Sequence, residues 1–177
     1  MASQDMVRTR KLLEEDANAK WGFIVYRCTY ESDDEWARFM QYLNTSVRTR
    51  LERDGDGDLF DRIDWQVQDD REQFDRAGSI TLRQHFTSTI LPTLSYPSTA
   101  RHQAFVAVYQ LTLNRILTIA PPPEEFDTDG RGFLSLISHD EREGWFSIGV
   151  SYLVPRAYTL LDECGWYNIF EDGVACP

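Results

Sequence analysis

The segment WGFIVYRCTY, residues 21–30, constrains the fold more than any other stretch of this chain. Its β-branched and aromatic residues predict a strand. A strand with one wet face alternates apolar and polar residues, but this one is apolar in both phases. Phe23, Val25, Arg27 and Thr29 leave one face; Ile24, Tyr26, Cys28 and Tyr30 leave the other. Such a strand needs material packed on both sides, which puts it inside a sheet rather than at its edge. The chain has 177 residues, 13% of them aromatic, enough to build one core around that strand.

A helix follows with a clear start. Ser32 and Glu35 have capping-box spacing, and Asp33, Asp34 and Glu35 put negative charge at the positive end of the helix dipole. Trp36, Phe39, Met40, Leu43, Val47 and Leu51 recur at helical spacing and predict one buried stripe. Arg48, Arg50 and Arg53 gather at the other end, and Gly55 stands where a left-handed cap is needed.

The run Asp54, Gly55, Asp56, Gly57, Asp58 has the carboxylate spacing that opens a calcium loop. With Asp54 as position one, position six should be Gly and is Leu59; position twelve should be Glu and is Trp65. The sharp turn and the strongest ligand are both missing, so the reading is a polar turn between helix and strand, with no metal. Likewise, His85, His102 and His139 share no zinc-type spacing.

Further along, RIDWQVQ (62–68) predicts a short strand, and ITLRQHFTSTIL (80–91) a second helix with Ile80, Phe86 and Ile90 facing inward, and Leu82 or Leu91 as further candidates for that face. HQAFVAVYQ (102–110), FLSLIS (133–138) and GWFSIGVSYL (144–153) predict three more strands, the last two as a hairpin. RAYTLLDEC predicts a short final helix. The expected fold is α+β: a mainly antiparallel sheet of about five strands with the two longer helices on one face, of ferredoxin-like tendency. The expected organisation is a charged N-terminal arm (1–20), a single domain (21–170) and a C-terminal tail (171–177).

Net charge is −11, which disfavours nucleic acid and anionic membrane as partners. No apolar run suits a leader or a membrane span. Cys28, Cys164 and Cys176 show no paired spacing and fit reduced thiols in a cytoplasmic protein. Sixteen of eighteen basic residues are Arg, the side chain suited to forked pairing with carboxylates.

Two features suggest a site. On the last strand, Phe146, Ile148, Val150 and Tyr152 form an apolar face, while Trp145, Ser147, Gly149 and Ser151 form one that is mostly small. Small residues on an open sheet face leave room for a ligand, a loop or a second subunit, a homodimer included. Arg27 must either pair with a carboxylate beneath the helices or line that open space as an anion hook. His85 is the candidate acid or base, and Tyr26 joins Trp145, Ser147, Gly149 and Ser151 as candidate ligand contacts.

Nucleotide and nucleophile motifs are absent, which leaves cofactor-independent chemistry or plain binding. The elements Tyr26, Arg27, Thr29, Tyr30 and Gly144, Trp145, Leu153, Pro155, Tyr158 resemble a group of intracellular proteins of filamentous fungi. That resemblance implies a fungal, intracellular setting and carries no activity. The functional expectation is a small, partly apolar organic ligand, with cofactor-free isomerase, cyclase or lyase chemistry if the protein is an enzyme. The alternative is a non-catalytic module that binds another protein on the open sheet face.

Overall fold

A computed structural model describes residues 6–95 and 98–176. The elements, in chain order, are α1 (Val7–Glu15), β1 (Ile24–Arg27), α2 (Asp33–Asp54), β2 (Gln66–Gln68), α3 (Arg71–Phe74) and α4 (Ser79–His85). They continue with α5 (Ala100–Gln103), β3 (Ala104–Val108), α6 (Gln110–Thr118), β4 (Phe133–Ser138), β5 (Trp145–Gly149), α7 (Val150–Tyr152), α8 (Tyr158–Cys164) and β6 (Val174–Ala175). Residues Phe86–Ile90 extend α4 by a wider turn.

The α+β class is as expected, but the sheet differs from the mainly antiparallel, five-strand, ferredoxin-like arrangement. It has six strands in the order β2-β1-β3-β4-β5-β6. β1 runs parallel to both β2 and β3, and β5 parallel to β6; only β3-β4 and β4-β5 are antiparallel. The reason lies in the connections. α2 carries the chain from β1 back to begin β2 in the same direction, and α3 to α5 do the same before β3.

The helices also divide between the two faces rather than sharing one. Phe39, Leu43, Val47 and Leu51 of α2 pack with Leu113 and Ile116 of α6 on Val25, Val106, Leu136 and Phe146. Phe74, Leu82, Phe86 and Ile90 cover the opposite face, on Ile24, Tyr26, Phe105 and Ile137. This two-sided cover is what the doubly apolar pattern of β1 requires, and every residue of that strand is buried. Ile80, expected inside, is 63% exposed; Leu82 takes the inward position instead.

Local signals in α2 are met in part: Phe39, Leu43, Val47 and Leu51 are buried while Trp36 and Met40 are partly so, and the Glu35 side chain accepts from Gln110. The Ser32 side chain accepts a hydrogen bond from the Glu35 N–H at 3.2 Å, and Gly55 ends the helix at φ 83°. The DGDGD turn has a different use from the one its spacing suggests. Arg10 of α1 grips both Asp58 oxygens, at 2.6 and 3.0 Å, and the fully buried Asp56 at 2.8 Å. Asp54 accepts from Arg50 at 3.0 Å. The turn is thus a cradle that docks α1, whose Leu13 joins the main core together with the adjoining Met6. Residues 174–175 of the tail likewise add strand β6.

Leu43 is 1% exposed in the middle of the α2 stripe. Leu43→Ala should cost about 2–5 kcal/mol in denaturant unfolding, because the site is enclosed on all sides. A loss near zero would mean that the stripe faces elsewhere.

Candidate functional site

β1, β2 and β3 all end on one side of the molecule, at Arg27, Gln68 and Val108. The chain leaves β1 and β3 toward α2 and α6, but leaves β2 toward α3 and α4. Strand ends whose connections part in this way form the crevice where open parallel sheets commonly hold ligands. The two residues expected to carry chemistry, Arg27 and His85, both lie near this end, but on opposite faces.

Arg27 emerges on the α2 face and is 5% exposed. Its Nη2 meets Asp33 at 2.5 Å, its Nη1 meets Asp69 at 3.3 Å, and its Nε donates to the Thr29 carbonyl at 3.0 Å. The guanidinium also lies over the rings of Tyr30, at 4.4 Å, and Trp36, at 5.1 Å. Around it, Thr29 donates to Gln110, whose amide donates in turn to Glu35 at 3.0 Å. Burial and the adjacent Asp69 hold the Tyr30 phenol protonated well above its usual range. Arg27 therefore ties together the ends of β1 and β2 and the start of α2. Its forks already hold carboxylates, and it leaves the sheet on the face opposite Ser147.

Tyr26 and His85 meet on the other face, their Oη and Nδ1 2.9 Å apart. Tyr26 is fully buried against Phe74 and Phe105, each ring edge-on to it. Burial raises the Tyr26 phenol far above its ordinary value. Burial also lowers the His85 imidazole, against the opposing pull of Asp70. A neutral imidazole beside a protonated phenol results, with the second ring nitrogen of the half-buried His85 left for another contact. The expectation named these two residues separately; their contact joins them across 59 positions of sequence.

The small-residue face of β5 divides into a filled part and an open part. A Cβ on Gly149 would sit 3.5 Å from the Ala175 carbonyl and 3.7 Å from the Cys176 side chain, so the chain's own C-terminal strand occupies that space. Ser151 is not on the strand. β5 ends at Gly149, α7 begins, and the buried Ser151 hydroxyl accepts a hydrogen bond from the Asp127 N–H at 3.0 Å. Trp145 and Ser147 lie on the open part. Trp145 is 55% exposed, and Ser147 is half-buried beside its β4 partner Ser135.

Arg83 joins α4 to the β4–β5 hairpin by donating to the Ser138 and Gly144 carbonyls at 2.9 and 3.4 Å. A shallow depression of about 490 Å³ opens there, with Ile80 and Thr87 on one side and His139 and Glu141 on the other. Ile80 was expected in the core, so sequence reasoning missed this surface; the helical period of its neighbours is the signal that separates it from Leu82.

Among the described residues, no group of three or more His, Cys, Asp and Glu side chains is arranged to hold a metal, and no helix is long and apolar enough to cross a membrane. No protein-family model, curated protein or solved structure matches this chain.

Arg27→Met tests the structural role of that residue. Asp33 and Asp69 are themselves 91% and 47% exposed at the side chain, so water can rehydrate them once the cation is gone. The loss should be about 1–3 kcal/mol in thermal unfolding, from charged hydrogen bonds and ring stacking, rather than the larger cost of a stranded buried ion. An unchanged melting curve would contradict this role.

Proposed function

We propose that this protein is a non-catalytic interaction module that binds another protein through the uncovered part of its sheet and the adjoining depression beside α4. The observation that carries the reading is Trp145, 55% exposed at the margin of the core on that face: its direct β4 partner Ile137 is buried, and the next pair along, Ser147 and Ser135, is small. A Trp on an open sheet face costs solubility unless it is used, and Trp is the residue most enriched at the energetic centres of interfaces. Ile80, 63% exposed on α4, adds a second apolar anchor. The filled space at Gly149 and Ser151 counts against an enclosed small-molecule cavity on the same strand. With a net charge of −11, two copies repel each other, which favours a different partner with a basic rim over a homodimer.

A second reading retains the small, partly apolar ligand and cofactor-free isomerase, cyclase or lyase chemistry. The 2.9 Å contact between Tyr26 and His85 favours it, because a held, neutral imidazole can move a proton. Arg27 then contributes by shaping the strand ends, since each of its three guanidinium nitrogens already donates to a protein oxygen.

A photoreactive residue at position 145 of the full chain should capture a discrete protein from extracts of the native organism. The same residue in place of Leu111, which is 72% exposed on α6, should not. Sedimentation should show a monomer of the chain alone. Identical, unselective capture at both positions would overturn the interaction reading. A small molecule that co-purifies and is lost in His85→Ala would favour the second.

A further inference from the structure

A separate cavity of about 290 Å³ lies at the opposite end of the parallel strands, where β2 begins. Its walls are the link between α1 and β1, with Asp16, Asn18 and Lys20; the start of β2, with Asp64 and Gln66; and Arg101 of α5. Leu12 of α1 closes one side, and α1 is itself pinned by Arg10 to the Asp56 and Asp58 cradle. The wall is therefore a docked helix rather than a loose arm.

Arg101 is 6% exposed and forms part of the lining. It spends its donors on protein: the Gly22 and Asp64 carbonyls at 3.1 and 2.7 Å, the Asp64 carboxylate at 2.8 Å and the Gln66 side-chain oxygen at 3.0 Å. This does two things. It offsets the charge of Asp64, and it fixes the Gln66 amide with its oxygen turned to Arg101, which leaves the Gln66 NH₂ as a donor. His102 also lines the cavity, and burial lowers its imidazole, so that ring adds no fixed charge. The charges left for a guest are one of each sign. The Lys20 ammonium stands 3.8 Å from Asp64 with its side chain 64% exposed, and the Asp16 carboxylate accepts the Asn18 N–H at 2.8 Å. Asn18, Gln66 and Thr99 supply neutral hydrogen-bonding groups around them.

We propose that this cavity binds a small zwitterion of the free α-amino-acid class. The ligand carboxylate faces Lys20 and the Gln66 amide, and its ammonium faces Asp16. The volume sits at the low end of the range for ligand pockets, which suits a molecule of amino-acid size. A lining that carries one cation and one anion beyond its internal pair discriminates against simple anions and simple amines, because each would leave one charged wall group unmatched.

The test uses the full chain in a thermal-shift assay with free L-amino acids, at about 10 mM each, confirmed by calorimetry. A specific ligand raises the melting temperature with concentration, because it binds only the folded state. At least one amino acid should do so, while its N-acetyl form and its decarboxylated amine should not. Lys20→Met, at an exposed position, and Asp16→Asn, which keeps a side-chain oxygen to accept the Asn18 N–H, should each weaken the binding about tenfold or more while leaving the melting temperature of the free protein unchanged. The proposal is overturned if no free amino acid binds. It is equally overturned if the N-acetyl and amine analogues bind as well as the parent, or if both variants bind normally. Trp145 and the α4 depression play no part in these measurements, so the result stands apart from that of the interaction reading.

Discussion

The burial of β1 on both faces is the constraint on which the rest of the structure depends. Four consecutive residues, Ile24 to Arg27, are shielded from water. Their backbone groups are satisfied only by strands on each side, and their side chains only by helices above and below. β2 and β3 supply the first; α2 with α6, and α3 with α4, supply the second. The parallel direction of β1 with β2 and β3 follows from this arrangement, because the helices that cover the faces also return the chain to the same edge of the molecule. The strand that buries everything also ends at Arg27, so the one charge it carries falls where the three parallel strands finish.

Arginine takes the place that longer elements or a larger core would fill. Arg10 docks α1 on the DGDGD turn, Arg27 binds the end of β2 to the start of α2, Arg83 joins α4 to the hairpin, and Arg101 locks the beginning of β2. Each uses the guanidinium as a fork that reaches two or more oxygens. Several of the partners are backbone carbonyls, so these contacts bind one element to another rather than merely balancing charge. An acidic chain suits this scheme, because carboxylates are in excess of cations, 29 against 18.

What could be read from the sequence was local. β1, the capped helix α2, its stripe from Phe39 to Leu51 and its glycine end all follow from spacing within a few residues. Tyr26 and His85 were legible as residue types in suspect positions, but their contact was not, because nothing in either segment states that α4 crosses that strand. Strand direction is not local either. The apolar double face of β1 points to a parallel interior, while the order of strands and helices also fits a split βαβ unit with a mainly antiparallel sheet. Ser151 was assigned to a strand that its own alternation continued; the turn into α7 comes from packing against the 127–132 segment, which lies some twenty residues away. Ile80 and Leu82 lie on different sides of α4; only Leu82 is in phase with Phe86 and Ile90, so the choice is legible once the buried stripe is read at four-residue spacing. The cavity beneath α1 draws on four separate segments and has no sequence signature at all.

Hydrogen exchange of the native chain tests the account at its centre. If β1 is the strand around which everything else is arranged, the amides of Val25, Tyr26 and Cys28, the last bonded to the Val108 carbonyl at 2.9 Å, should be among the slowest in the protein. They should exchange only through global unfolding, while Val67 at one sheet edge and Val174 at the other exchange through local opening. Exchange of β1 as fast as that of the two edge strands would contradict the account.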